Sequence, residues 1–271
     1  FIGAGFRILL AAIIGDEGIG LYQMAYPVYS TLLAISTAGI PIAISKLVSH
    51  YITEEDYRGA YRVFLIALNI LTITGLVISA LMLLGAHFID DNIARDPRAF
   101  YPIVAISPAV FFVTIMSSFR GFFQGQQRMM PTALSQLLEQ LFRVGAAIAL
   151  VILLIPKRVE WAAGGAAFGA AAGAIAGLLV LMYIYSRDRK QFIKRMDQQK
   201  NFEYKGTMAT VYDILALSIP ITLSHLVTPL KTLIDMSIVP MRLEHIGLGA
   251  SRRMALYGQL TGMAVPLIHI P

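Results

Sequence analysis

The 271 residues are 57% hydrophobic and only 14% charged, with a mean hydropathy of +0.68, a balance that excludes a soluble globular domain of this length. The formal net charge is +6, and the absence of cysteine excludes disulfides, thiol catalysis and thiolate metal sites. The composition is that of an all-α polytopic membrane protein.

Apolar stretches of about 20 residues or more, enough for a hydrocarbon core of roughly 30 Å at about 1.5 Å per residue, recur between short polar breaks. Seven substantial spans and a truncated one are predicted, at 3–14, 21–50, 61–89, 100–124, 131–155, 161–185, 212–239 and 254 to the end. The first is too short to cross. It is not a signal peptide, because no basic region precedes it and no small-residue cleavage site follows it. Because the chain opens on Phe1 and stops at Pro271 inside an apolar run, it is expected to be a fragment.

Prolines fall within the spans at Pro27, Pro41, Pro102, Pro108, Pro220, Pro229 and Pro266. Each removes a backbone donor and predicts a kink, tolerated in a membrane where neighbouring helices, side chains or water satisfy the freed carbonyls. The sixth span carries Gly165, Gly169, Gly173 and Gly177 at strict four-residue spacing among alanines. Such a stripe predicts close helix–helix packing where lipid offers no hydrophobic drive; the functional alternative is a sliding surface.

The fourth span leaves the bilayer through Ser118 to Arg128 and turns at Pro131, and the fifth then carries Glu139, Gln140 and Arg143 inside an apolar run. An ionisable group at mid-bilayer costs roughly 2.5 to 3.5 kcal/mol on insertion scales, so two of them predict a protein-lined, wet cavity. Arg120 and Arg128 are assigned to the polar break between the spans. The other deep charges are Arg7, Lys46, Lys231 and Asp235. Glu139 with Arg143, and Lys231 with Asp235, stand one turn apart and share a face. One reading is mutual neutralisation within each pair. The other starts from the cationic excess of Arg7, Lys46, Arg143 and Lys231 and predicts an anionic ligand, guanidinium groups suiting phosphate because several donors lie in one plane. His225 is expected to be a hydrogen-bonded helix contact rather than a proton relay.

The longest hydrophilic stretch begins at Ser186 and marks the best internal boundary. The resulting division is 1–186 as a first transmembrane lobe, 187–210 as a basic linker and 211–271 as the start of a second lobe. Phe192, Ile193 and Met196 sit among its lysines and arginines at roughly helical spacing, as on anionic headgroups; a solvated linker is the plainer alternative. Eleven Lys and Arg residues fall in the breaks on the linker's side, from Arg58 to Lys205, against Arg95, Arg98, Lys157 and Arg158 on the facing side, with Arg242, Arg252 and Arg253 added by the last break. The bias predicts a cytoplasmic 187–205 loop. A short internal repeat supports the boundary: an Arg7 helix followed by Gly20-Leu21-Tyr22-Gln23-Met24-Ala25, and a Lys231 helix followed by Ala255-Leu256-Tyr257-Gly258-Gln259. Repeated lobes are common in secondary transporters, with the substrate between them.

No phosphate-cradling Gly-x-x-x-x-Gly-Lys-Ser/Thr loop, His-Glu-x-x-His pair or Gly-x-Ser-x-Gly elbow is present, so no enzyme, cofactor or metal is expected.

Several blocks resemble a known family. Gly5-Phe6-Arg7-Ile8-Leu9-Leu10 and Gly15-Asp16-Glu17-Gly18-Ile19-Gly20-Leu21-Tyr22-Gln23 are similar to the opening of bacterial polysaccharide-biosynthesis flippases of the MOP superfamily. So are Ser36 to Lys46, Phe119-Arg120-Gly121-Phe122-Phe123-Gln124-Gly125, Pro131 to Gln136, Ile234-Asp235 and Leu256 to Met263. The branch resembled is that of stage V sporulation protein B and the Gram-positive lipid II flippases similar to MurJ. The resemblance implies a MATE-like fold of about fourteen helices, of which this chain holds the six-helix N-terminal lobe and the start of the second. It implies transport of an undecaprenyl-diphosphate-linked sugar precursor to the outer leaflet of the bacterial plasma membrane. The implied partners are that lipid-linked oligosaccharide diphosphate, anionic membrane lipids and the cell-wall synthesis machinery, with no nucleic acid. The family's cavity arginine on the first helix falls on Arg7. The further second-helix arginines of Gram-negative members have no counterpart, since the chain reads Thr31-Leu32-Leu33-Ala34 there. A drug or cation antiporter of the related MATE family and a membrane-embedded glycosyl polymerase or ligase are the alternatives.

Overall fold

The computed structural model describes residues 2–37, 39–199 and 206–264, with the side chains of 2–5, 7 and 8 outside the description. Among the described residues all regular structure is helical. Six segments among the described residues are long and apolar enough to cross a membrane, one fewer than the substantial spans expected. The chain is a multi-pass membrane protein.

Helix α1 (Ile2–Thr37) carries a kink at Gly15, whose φ of 68° lies in the left-handed region open to glycine without a Cβ clash. The polar break expected at 15–20 therefore shrinks to a single residue. The expected span 21–50 is instead interrupted between Thr37 and α2 (Ile40–Thr53). Pro41 falls in the first turn of α2, where no intrahelical N–H bond is lost, so it starts a helix rather than kinking one.

Helix α3 (Tyr57–Leu84) opens on Asp56, whose Oδ1 accepts from the Gly59 N–H at 2.8 Å, satisfying one of the free donors of the first turn. After a short α4 (Ala86–Ile89) and an irregular helical stretch, α5 (Phe100–Gly125) and α6 (Met130–Leu154) form the next pair of crossings. Pro102 again sits in a first turn, whereas Pro108 lies inside α5. Helix α7 (Val159–Gln198) does not stop at the boundary expected near 186 but continues 12 residues beyond it. Helix α8 (Thr207–His245) contains Pro220, Pro229 and Pro240, and α9 (Ala250–Gly258) follows. Pro266 lies outside the described residues.

Three buried clusters organise the helices. The first joins the middle of α1 to α5 and α7 and takes in Met236, Met254 and Tyr257. The second joins α2, α3 and α5 around Phe64, Phe122 and Phe123. The third packs Phe6, Leu10 and Ile14 of α1 against Ala147 and Val151 of α6 and Ala162 and Ala166 of α7.

The breaks segregate to two sides of the bundle. On one, Arg128 Nη2 meets Asp188 Oδ2 at 2.6 Å, Gln199 Nε2 donates to Asp56 Oδ1 at 3.2 Å, and Arg62 Nη2 donates to Thr207 Oγ1 at 2.8 Å. On the other, Arg98 is held by Asp96 at 2.8 Å and also pairs with Glu17, while Arg253 pairs with Glu244 at 2.7 Å.

The glycine stripe of α7 packs against α6 in antiparallel register. A Cβ at Gly169 would fall 2.6 Å from the Arg143 carbonyl oxygen, and one at Gly173 would fall 2.5 Å from that of Glu139. Such approaches are possible only without side chains.

Candidate functional site

Glu139 lies on α6 with its carboxylate shared between two guanidinium groups. Arg143, one turn on, donates from Nη2 to Oε1 at 3.0 Å. Arg120, from α5, donates from Nη2 to Oε2 at 2.8 Å. Arg120 also donates to Ser135 Oγ from Nε at 3.0 Å and from Nη2 at 2.9 Å, and the Ser135 hydroxyl donates to the Thr132 carbonyl at 3.1 Å. The side chains of Arg120, Glu139 and Arg143 are 16%, 10% and 20% exposed. A carboxylate this buried requires paired, hydrogen-bonded cations, and two arginines against one glutamate leave the cluster with a unit of positive charge.

Arg120 is a correction to the sequence reading, which placed it with Arg128 in the polar break. Arg120 lies inside α5, five residues before its end at Gly125, whereas Arg128 lies beyond that end, and the Arg120 side chain turns inward to the α6 charges. The signal was available: Ser135 and Glu139 stand at i, i+4, so a single face of α6 offers two acceptors to a neighbouring helix.

Glu139 and Arg143 line a cavity of about 380 Å³ together with Tyr26, Tyr29 and Thr37 of α1 and His225 of α8. Tyr29 is buried and its ring lies 5.9 Å from that of Tyr26. Arg143 Nε is buried without a hydrogen-bond partner. A buried guanidinium donor left unpaired costs free energy unless an acceptor arrives. The arrangement presents one arginine, Arg120, anchored through Nε and Nη2, and a second, Arg143, that has donor capacity left for an anion.

The predicted site residues are thus divided. Glu139 and Arg143 come together as expected. Lys46 is exposed on α2, and Lys231 is exposed on α8, with Asp235 half-buried one turn further on; none of the three lines the cavity. No salt bridge joins Lys231 to Asp235 among the described residues. The Arg7 side chain lies outside the described residues; its backbone belongs to the part of α1 before Gly15. Tyr26, Tyr29 and His225 were not expected in the site, and tyrosines at helical spacing in an apolar helix give no signal that separates a lining from a packing role.

The family model described as polysaccharide biosynthesis protein matches residues 1–259. Stage V sporulation protein B of Bacillus subtilis is 32% identical over 267 residues, covering 98% of this chain and 51% of the relative. Lipid II flippase MurJ of Bacillus subtilis is 32% identical over 252 residues, covering 86% of this chain and 45% of the relative. The chain spans about half the length of these curated relatives. An inward-facing multidrug-resistance MATE family transporter of the MOP superfamily superposes with a TM-score of 0.74 at 17% identity, over 95% of this chain and 56% of that one, a likeness of fold. By sequence, the chain belongs to the polysaccharide biosynthesis protein family.

Proposed function

We propose that this chain supplies the first lobe, and the start of the second, of a flippase that moves an undecaprenyl-diphosphate-linked, lipid II-like sugar precursor from the inner to the outer leaflet of the bacterial plasma membrane. The division is 1–186, a basic cytoplasmic linker at 187–210, and 211–271. The observation that carries the reading is Arg143, a buried guanidinium with an unpaired Nε at a cavity of about 380 Å³. A diphosphate offers paired oxygen acceptors that the planar guanidinium fork can engage bidentately, and the prenyl tail is able to stay in lipid while the headgroup enters a wet cavity. Arg7 is proposed as a second cation for the same diphosphate. The name of the MurJ relative supports the cargo class, and the cell-wall synthesis machinery is the expected partner.

A drug or cation antiporter, favoured by the likeness to the MATE transporter, calls for a carboxylate free to exchange a proton or cation. Glu139 is clamped by two guanidinium groups, which favours the flippase. The test is to deplete a host of its own lipid II flippase, supply the full-length protein, and measure precursor in the outer leaflet directly. Restored outer-leaflet precursor supports the reading. Failure to restore it, with the protein correctly inserted and an unrelated cationic drug exported instead, would establish the antiporter.

A further inference from the structure

A second cavity, of about 230 Å³, opens on the side of the bundle that carries the α7 extension. Its floor is aromatic. Phe122 of α5 packs edge-on to Phe192 with ring centroids 5.4 Å apart, and the hydroxyls of Tyr61 and Tyr185 are hydrogen-bonded at 3.0 Å. Its rim carries Arg128, Arg189 and Arg195 against the single carboxylate of Asp188.

Two of the arginines are positioned by contacts that leave donors free. Arg128 pairs with Asp188 at 2.6 Å and lies 5.6 Å from the centre of the Phe123 ring. Arg195 stands 5.8 Å from the centre of the Tyr57 ring. Arg189 is exposed and has no ion-pair partner among the described residues. The excess of two positive charges over an apolar floor, at the level where the spans end, matches a phosphate group joined to an apolar remainder. A soluble phosphate satisfies the rim alone, whereas a phospholipid satisfies rim and floor together.

We propose that this cavity binds the headgroup region of an anionic membrane phospholipid, with the phosphate between Arg128, Arg189 and Arg195 and the first methylenes of an acyl chain against Phe122 and Phe192. The continuation of α7 past the membrane edge builds the site, since Arg189, Phe192 and Arg195 all belong to it. The site is separate from the Arg120–Glu139–Arg143 cavity and is independent of the cargo proposed there.

The experiment uses the full-length protein in nanodiscs, with bound lipid counted by native mass spectrometry after exchange into equal mixtures of phosphatidylglycerol and phosphatidylcholine. Wild type is expected to retain phosphatidylglycerol in preference, and the double variant Arg189→Ala with Arg195→Ala to lose about tenfold in that preference. Lys190→Ala with Lys194→Ala removes the same charge from the same helix outside the cavity and is expected to keep it; an equal loss there overturns the site in favour of general surface attraction. Phe192→Ala is expected to weaken retention without changing charge. Equal retention of the two lipids by wild type overturns the proposal, as does competition by glycerol 3-phosphate as strong as that by the lipid, which assigns the cavity to a soluble phosphate.

Discussion

At the scale of the residue, the buried carboxylate of Glu139 sets the electrostatics of the main cavity. Removing one partner of a buried charge cluster leaves the other groups uncompensated, at a cost of up to about 3–5 kcal/mol for an isolated pair. Glu139 keeps Arg143 when Arg120 is lost, so Arg120→Ala is expected to cost less than that range. A double-mutant cycle with Glu139→Gln, read by thermal unfolding in detergent, is expected to give a coupling of about 1–3 kcal/mol. Additive effects would show that the Arg120–Glu139 contact contributes nothing of its own. Arg143 has the other task, and Arg143→Ala is expected to lower outer-leaflet precursor at least about tenfold, the loss of one charge-assisted hydrogen bond, with membrane insertion unchanged. Arg143→Lys is expected to retain only part of the activity in the same assay, because an ammonium lacks the planar fork. For Arg7→Ala, complete loss of transport with normal insertion is expected in the same assay. The Glu139–Arg143 pair was legible from its spacing on one helix. Arg120 was not, because its partner lies on another helix and its neighbours in sequence mark a helix end.

At the scale of the element, the stripe of glycines on α7 sets how closely α6 approaches and hence where its charged side chains emerge. A methyl group at Gly173 would lie 2.5 Å from the Glu139 carbonyl oxygen, whereas one at Gly164 meets its nearest neighbour at 3.4 Å, in ordinary contact. Gly173→Ala is therefore expected to destabilise the bundle by about 1–3 kcal/mol through overpacking, and Gly164→Ala to leave its thermal midpoint nearly unchanged. Equal midpoints for the two variants would remove the stripe from its packing role. The four-residue period made the packing face readable in advance, but not its partner. Helix ends were less readable. The break expected at 15–20 shrinks to Gly15, because one left-handed glycine is enough to redirect a chain that remains helical on both sides.

At the scale of the whole molecule, the two repeat-matched segments meet each other. Gly20 lies so close to α9 that a Cβ there would fall 2.0 Å from the Met254 carbonyl oxygen, and one on Gly258 would fall 2.4 Å from that of Asp16. Gln23 Nε2 donates to the Thr261 carbonyl at 2.9 Å, and Gln259 hydrogen-bonds Asp16. This crossing closes the bundle on the side of Glu17 and Arg98, opposite the α7 extension. A transporter that opens there must part it. Since the chain has no cysteine, Asp16→Cys with Gln259→Cys provides a clean pair; its oxidation is expected to block transport in the full-length protein, with recovery on reduction. Unimpaired transport by the cross-linked form would show that the crossing stays shut throughout the cycle. By itself the sequence determined the all-helical membrane class, most of the spans, the packing stripe and the family, because these follow from hydrophobicity and period along a single helix. Only the tertiary structure decided that Arg120 faces Glu139, that Lys46 and Lys231 stand outside the cavity, and that the α7 extension builds a second one. Those are relations between helices, set by the rotation and approach that close packing imposes on each pair, and no local pattern of residues encodes them.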